Sequence, residues 1–490
     1  MTPTQPPPWT VGDILAATGG ALLGGPAEKR FGAIGIDSRS LQPSDLFIAI
    51  KGSTHDGHRF AEAVVAGGGR GLLLSADAAR ALPWPQWAAG GVVCIAVADT
   101  TRALGDLGAF HRRRLNVPVV AITGSNGKTT TRAMTAAVVS RRFQTLATIG
   151  NFNNEIGLPL TLLRLTDAHQ WAVLEMGMNH PGEIRRLAAL CAPRIGVITN
   201  VAAAHLAGLG SLEAVKRAKG ELLVELAADG IAILNADDPK VMELAAETRR
   251  RVVRFATAAT AEVQARHLQP AALGTTFDLI LPGERASVAL GVPGTFMVAN
   301  ALAAAAVGWT LGIGIAEIKA GLEAFRPIAG RMAHRELAGG VHLIDDTYNA
   351  NPGSMAAAIQ TLADLGRSSR RLLVMGDMLE LGDQSAALHA AAGELAARSG
   401  VSALLVAGRF GRGGHPGRTR GRPAGREDLR GQPRGDPGGL EKKTSPGGLG
   451  PGKRLARHGH GNHRSGVGRL DGPLTGGCHT RQRSRRWSWT

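Results

Sequence analysis

The stretch VPVVAITGSNGKTTT, residues 117–131, constrains this chain more than any other. Val117, Val119, Val120 and Ile122 form a continuous apolar run, the pattern of a strand buried on both faces. The run Gly124-Ser125-Asn126-Gly127-Lys128-Thr129-Thr130 then turns sharply, and Met134, Ala137 and Val138 begin a helical pattern. A strand, a Gly-rich turn and a helix together make a phosphate cradle. Gly124 and Gly127 let backbone N–H groups approach an anion, and the helix N-terminus adds its positive dipole end. Lys128 is expected to reach the β/γ-phosphates and the Thr129 hydroxyl to ligate Mg²⁺.

The spacing departs from the common G-x-x-x-x-G-K-[ST], because Ile122 stands where the first Gly belongs. The shorter T-G-S-N-G-K-T-T resembles the ATP loop of the Mur ligases and folylpolyglutamate synthetases. Other segments extend the resemblance to the Mur ligases over about residues 10–410. The loop Thr148 to Gly157 resembles the family's T-x-G-N-x-N-N-x-I-G, which implies contacts to a peptidyl substrate. Glu175 ends an apolar strand beside the phosphate loop, where a carboxylate holds Mg²⁺. Asn200 to His205 resembles N-x-A-x-A-H-L, which implies a place for His205 near a second Mg²⁺; by residue type alone a lone His after a strand is a turn residue.

Lys219, in the A-K-G-E segment, matches the family's carbamylated lysine, which acts as a carboxylate-like metal ligand. Its other reading is a solvated basic helix turn with Lys216 and Arg217. The resemblance further implies an adenine contact from Asn300, and Phe296 stands where the family usually has His. Arg331 resembles the family's Arg that reaches the γ-phosphate. Asp346, Tyr348 and Asn349 are implied contacts to ribose or adenine. In the N-terminal segment Ser38, Arg39 and the backbone near Gly52 are plausible uridine and diphosphate contacts, or Asp37-Ser38-Arg39 is a solvated turn with a local ion pair.

The resemblance therefore implies a three-domain α/β fold. Residues 1–112 form a UDP-substrate domain, 113–328 a central ATP-binding domain with the phosphate loop, and 329–410 an incomplete, Rossmann-like ligase domain. The motifs D-D-T-Y-N-A-N-P, G-D-M-L-E-L-G and E-M-G-M-N-H-P-G-E-I resemble those members that join D-alanyl-D-alanine to UDP-N-acetylmuramoyl-tripeptide. The cofactors implied are ATP and Mg²⁺. The runner-up is the ligase that adds the third residue of the peptide.

Composition bears on partners and compartment. Three cysteines (Cys94, Cys191, Cys478), far apart, argue for a reducing, cytoplasmic setting without disulfides or zinc. No apolar run reaches the roughly 20 residues of a membrane span, and no signal peptide opens the chain. A monomer acting on small molecules is expected. The net charge of +17 suggests nucleic acid, but residues 411–490 hold 18 Lys and Arg against 5 Asp and Glu, so the body is close to neutral.

That tail also holds 21 of the 67 Gly and no Phe, Tyr or Ile. Where the family continues with P-G-D-x-V-L-V-K-G-S-R-x-M-x-M-E, the tail has PGGLGPGKRLARHGHGNH. Shifting the codons by one nucleotide permits Pro-Gly-Asp, Val-Leu-Val, Ser-Gly-Ser-Arg-Ala and Met-Ala-Met-Glu in order, so a frameshift near residue 410 is inferred. A basic arm that binds nucleic acid is the rival reading, without aromatics interleaved for stacking. An inactive product of a damaged gene is the third. In either frame reading the tail as written cannot bury enough apolar surface to order itself, and the last domain is expected to keep an open sheet edge and an uncovered face.

Overall fold

The computed structural model describes residues 7–412, apart from 53, 272–273 and 366–368. The frameshift reading therefore falls on residues that, from 413 on, lie outside the described ones.

The first domain is built on a five-stranded sheet. Ile34–Gly35, Leu46–Ile48, Gly71–Ser75 and Val93–Val97 run parallel, and Ala21–Gly24 closes the edge antiparallel to the last. Its opening helix, Val11–Thr18, starts with a capping box between Thr10 and Asp13 and stops at Gly19, whose φ of +64° ends the helix left-handed. The helix Thr100–Leu115 follows the last strand of this sheet and stops at Asn116, which takes a left-handed conformation.

The central domain carries a nine-stranded sheet. From one edge, Thr145–Ala147, Trp171–Glu175, Val119–Thr123, Ile195–Ile198, Ile231–Asn235, Arg251–Ala256 and Val263–Ala271 are parallel; Gly274–Leu281 and Glu284–Leu290 extend it as antiparallel strands. All five residues of Val119–Thr123 are buried, as the apolar run requires of a central strand. The chain leaves this strand to pair one way with Trp171–Glu175 and the other way with Ile195–Ile198. That reversal opens a crevice at the carboxyl ends of the strands, where ligands of parallel α/β sheets bind. Apolar side chains from the sheet and from the Ala-rich helix Phe296–Thr310 form one core, and a second core lies on the other face.

The third domain is smaller. A hairpin, Ala333–Leu337 with Val341–Asp345, precedes helix Pro352–Asp364. Leu372–Met375 and Ala403–Val406 then pair in parallel across helix Ser385–Arg398. The expected uncovered face is there among the described residues: Val374 is 73% exposed, Leu372 47% and Leu405 41%. No helix of the described residues is long and apolar enough to cross a membrane.

Candidate functional site

The phosphate loop folds as the spacing predicts. Gly127 takes φ +80° as the N-cap of helix Lys128–Val139, a conformation that disfavours any side chain. The loop is braced from the neighbouring strand end. Thr199 donates to the Asn126 carbonyl at 2.6 Å, and Ser125 Oγ donates to the Ala202 carbonyl at 3.0 Å. Lys128 folds back so that its Nζ donates to the carbonyls of Gly124 (2.9 Å) and Ser125 (3.3 Å). Burial pulls its pKa down, against the attraction of Glu175.

Glu175 closes the next strand, as expected, and is 2% exposed. Its Oε1 accepts from Thr129 (3.2 Å) and from Asn153 (2.8 Å). Its Oε2 is buried without a hydrogen-bond partner, with the Arg132 guanidinium 3.9 Å away. A buried carboxylate oxygen left unsatisfied is costly unless a cation joins it. Thr129 and Glu175 therefore fit Mg²⁺, which takes one or two protein oxygens and completes its shell with water and phosphate. The described residues contain no preformed group of three acidic, His or Cys ligands.

Lys219 is buried, at 1% exposure, and among the described residues no hydrogen bond or ion pair reaches its Nζ. Burial, and then the nearby Lys128, hold its pKa well below the ordinary lysine value. Lys216, one turn earlier, is the opposite case: Glu213, Glu243 and Glu247 surround its ammonium at 2.7–3.3 Å. The two lysines of one short helix segment thus have different fates, and neither is a solvated basic turn.

A cleft of about 530 Å³ joins the central and third domains. Ser125 to Thr129, Glu175 and His205 line it on one side; Arg331, Tyr348, Asn349, Asn351 and Glu380 line it on the other. The Arg331 guanidinium stacks 4.2 Å from the Tyr348 ring centre, and its Nε is buried without a partner. Asp346 lies behind them, accepting from the Met332 amide (3.2 Å); burial pushes its pKa up to about 6.

Several expected residues lie elsewhere. Asn300 is buried beneath the loop, where its amide oxygen accepts from Thr131 (3.1 Å) and its carboxamide packs against Gly127; it does not line the cleft. Thr130 is buried on the helix, and its side chain also stays out of the cleft. Phe296 is partly buried against the central core, close to Gly294 and to Thr361 of the third domain. Arg39 is spread in solvent and donates two bonds to Asp37, at 2.8 and 2.7 Å, which is the local ion-paired turn. Gly52 donates its amide to the His55 carbonyl. Ser38, Arg39 and Gly52 do not line the cleft.

The sequence reading missed Asn153, Arg132, Asn351 and Glu380 as contributors. Asn153 lay in a loop already singled out, and Asn351 and Glu380 lay in the two motifs that pointed to the D-alanyl-D-alanine ligases, but without a role of their own.

Comparison with known proteins decides the family. Residues 30–112 match the Mur ligase family catalytic domain, 122–308 the Mur ligase middle domain, and 330–426 the Mur ligase glutamate ligase domain. The UDP-N-acetylmuramoyl-tripeptide–D-alanyl-D-alanine ligase of Escherichia coli K12 is 41% identical over 402 residues, covering 82% of this chain and 86% of the relative.

The chain belongs to the Mur ligase family.

The enzyme of the same name from Bacillus subtilis is 35% identical, over 77% of this chain and 80% of the relative. Among solved structures, MurF from Acinetobacter baumannii superposes with a TM-score of 0.78 at 34% identity, covering 84% of this chain and 88% of that one. MurF from Thermotoga maritima, in complex with ADP, gives 0.69 at 25% identity, covering 78% and 85%. As a Mur ligase the chain is an ATP-dependent ligase, with the family's three α/β domains.

Proposed function

We propose that this Mur ligase joins D-alanyl-D-alanine to UDP-N-acetylmuramoyl-tripeptide, completing the pentapeptide precursor of peptidoglycan, as a cytoplasmic monomer. The observation that carries the reading is the single cleft in which the phosphate loop, Glu175 and the third-domain Arg331 meet. The names of the relatives support the choice of substrates over a third-residue ligase.

The reaction is amide formation driven by ATP. The terminal carboxylate of the tripeptide attacks the γ-phosphorus, giving an acyl phosphate and ADP. The amino group of D-alanyl-D-alanine attacks the activated carbonyl, loses a proton, and phosphate departs. Loop amides and Lys128 hold the triphosphate, for which Lys128 must swing off the carbonyls of Gly124 and Ser125. Arg331 faces the same phosphates from the third domain and stabilises charge that develops during transfer. Tyr348, Asn349 and Asp346 are the proposed contacts to ribose and adenine, the first two lining the cleft. Catalysis is mostly positioning and electrostatics.

Mg²⁺, when bound, neutralises and orients phosphate oxygens. Thr129 and Glu175 would hold one ion, and His205, with Lys219 once carbamylated, would hold a second. A buried amine kept neutral is the form that adds CO₂, and Lys219 has that environment. Ser38, Arg39 and Gly52 remain the proposed uridine-side contacts.

The test is phosphate release by the 490-residue chain, given ATP, Mg²⁺ and both substrates. Release that requires both substrates is the expected result. Release that proceeds with a diamino acid in place of D-alanyl-D-alanine would overturn the assignment.

A further inference from the structure

His205 and Glu380 belong to different domains and meet across the cleft. His205 Nδ1 lies 2.8 Å from Glu380 Oε2, and the Ala207 amide donates to the Glu380 carbonyl at 3.1 Å. Both residues adopt left-handed backbone conformations, φ +57° for His205 and +62° for Glu380. Non-glycine residues held there cost roughly 1–3 kcal/mol each and persist where surrounding contacts over-determine them. Two such residues face each other across this domain boundary.

The chemistry of the pair has a direction. A carboxylate only accepts, so the proton of the shared bond sits on Nδ1 of His205. In the neutral ring the lone pair is then on Nε2, on the side away from Glu380. Among the described residues no partner engages that nitrogen. This is the arrangement by which an outer carboxylate fixes the tautomer and orientation of a metal-binding imidazole. Here the carboxylate comes from the third domain, on the opposite wall of the cleft.

We propose that Glu380 is a positioning residue: reaching across from the third domain, it holds His205 so that Nε2 is presented to the metal–nucleotide site. The third domain thereby takes part in completing the metal site. The proposal rests on the metal reading of His205 given above. Glu380 is 56% exposed, so the pair adds little to stability and its effect is orientation.

The test is calorimetric binding of a non-hydrolysable ATP analogue to the full chain, with Mg²⁺ and with a chelator, in the wild type and in E380A, E380Q, H205A and H205A/E380A. With Mg²⁺, E380A and H205A are each expected to weaken binding about tenfold, within the roughly 10–100-fold range of outer-shell metal partners. The double variant should bind no worse than H205A, because Glu380 acts through His205. E380Q keeps the acceptor and should bind like the wild type. With the chelator all five should bind alike.

Losses that multiply in the double variant, a loss that persists in chelator, no loss in E380A, or wild-type binding indifferent to Mg²⁺ would each overturn the proposal. Nucleotide binding needs neither peptide substrate. A failure of the ligase assignment would therefore appear separately, as absent phosphate release with binding intact.

Discussion

Asn351 in the third domain donates its side-chain amide to the Asn126 carboxamide in the phosphate loop, at 2.6 Å. The same Asn351 caps helix Pro352–Asp364, accepting from the Ser354 amide at 2.9 Å. One side chain thus caps the start of a helix and touches the nucleotide loop of another domain. Replacing Asn351 by Ala should cost about 1 kcal/mol of helix capping and, through the lost loop contact, lower kcat more than it raises the KM for ATP. Replacement by Ser, which keeps the cap but is too short for Asn126, should recover the melting temperature without recovering kcat. Thermal unfolding and steady-state kinetics on both variants check this.

Gly127 leaves no room for a methyl group, because its Cβ would enter the Asn300 carboxamide, and its φ is +80°. Gly127→Ala is expected to weaken nucleotide binding at least tenfold. Adding Asn300→Ala should restore part of the loss, since the steric share of the penalty goes and the backbone share stays. A double-mutant cycle on nucleotide affinity gives the two shares.

Glu175 should be required for the metal and not for the nucleotide. Glu175→Gln removes the charge beside its unpaired buried oxygen while keeping the acceptor for Thr129 and Asn153. Activity should fall at least 100-fold, with chelator-treated nucleotide affinity unchanged. Excess chelator should bring the wild type to the same low rate, measured as phosphate release.

Asp346 makes a pH prediction with a definite sign. Burial raises its pKa from 3.8 to about 6, so the folded chain favours the protonated form. Its contribution to stability is complete below pH 3.8 and declines as pH rises through about 6. Asp346→Asn, which keeps an acceptor for the Met332 amide, should therefore stabilise the protein at pH 8 by at most about 3 kcal/mol, with no gain near pH 4. Melting curves of the two proteins from pH 4 to 8 test it.

The bare strands of the third domain predict stickiness. Val374, at 73% exposure, lies on a parallel pair with Leu372 and Leu405 also uncovered. Exposed apolar strand surface of this kind promotes association. Val374→Lys should reduce binding of a hydrophobic dye and light scattering, while changing stability by no more than about 0.5 kcal/mol.

The local chemistry of this protein was legible in the chain itself. The buried strand, the glycines, Lys128 and Thr129 had to form a phosphate loop, because chain connectivity brings them together within one turn. Glu175 at the end of the next strand followed from the same parallel-sheet logic. Motif order was enough to identify the family and hence the three domains. What spacing could not say was which side of an element each side chain would face. Only packing put Asn300 beneath the loop, gave Lys216 three carboxylates and left Lys219, among the described residues, with none. Only the meeting of domains joined Asn126 to Asn351 and His205 to Glu380, pairs separated by 225 and 175 residues. Periodicity and turn chemistry act over a few residues. Contacts at that separation arise when large apolar surfaces pack, and no local pattern records them.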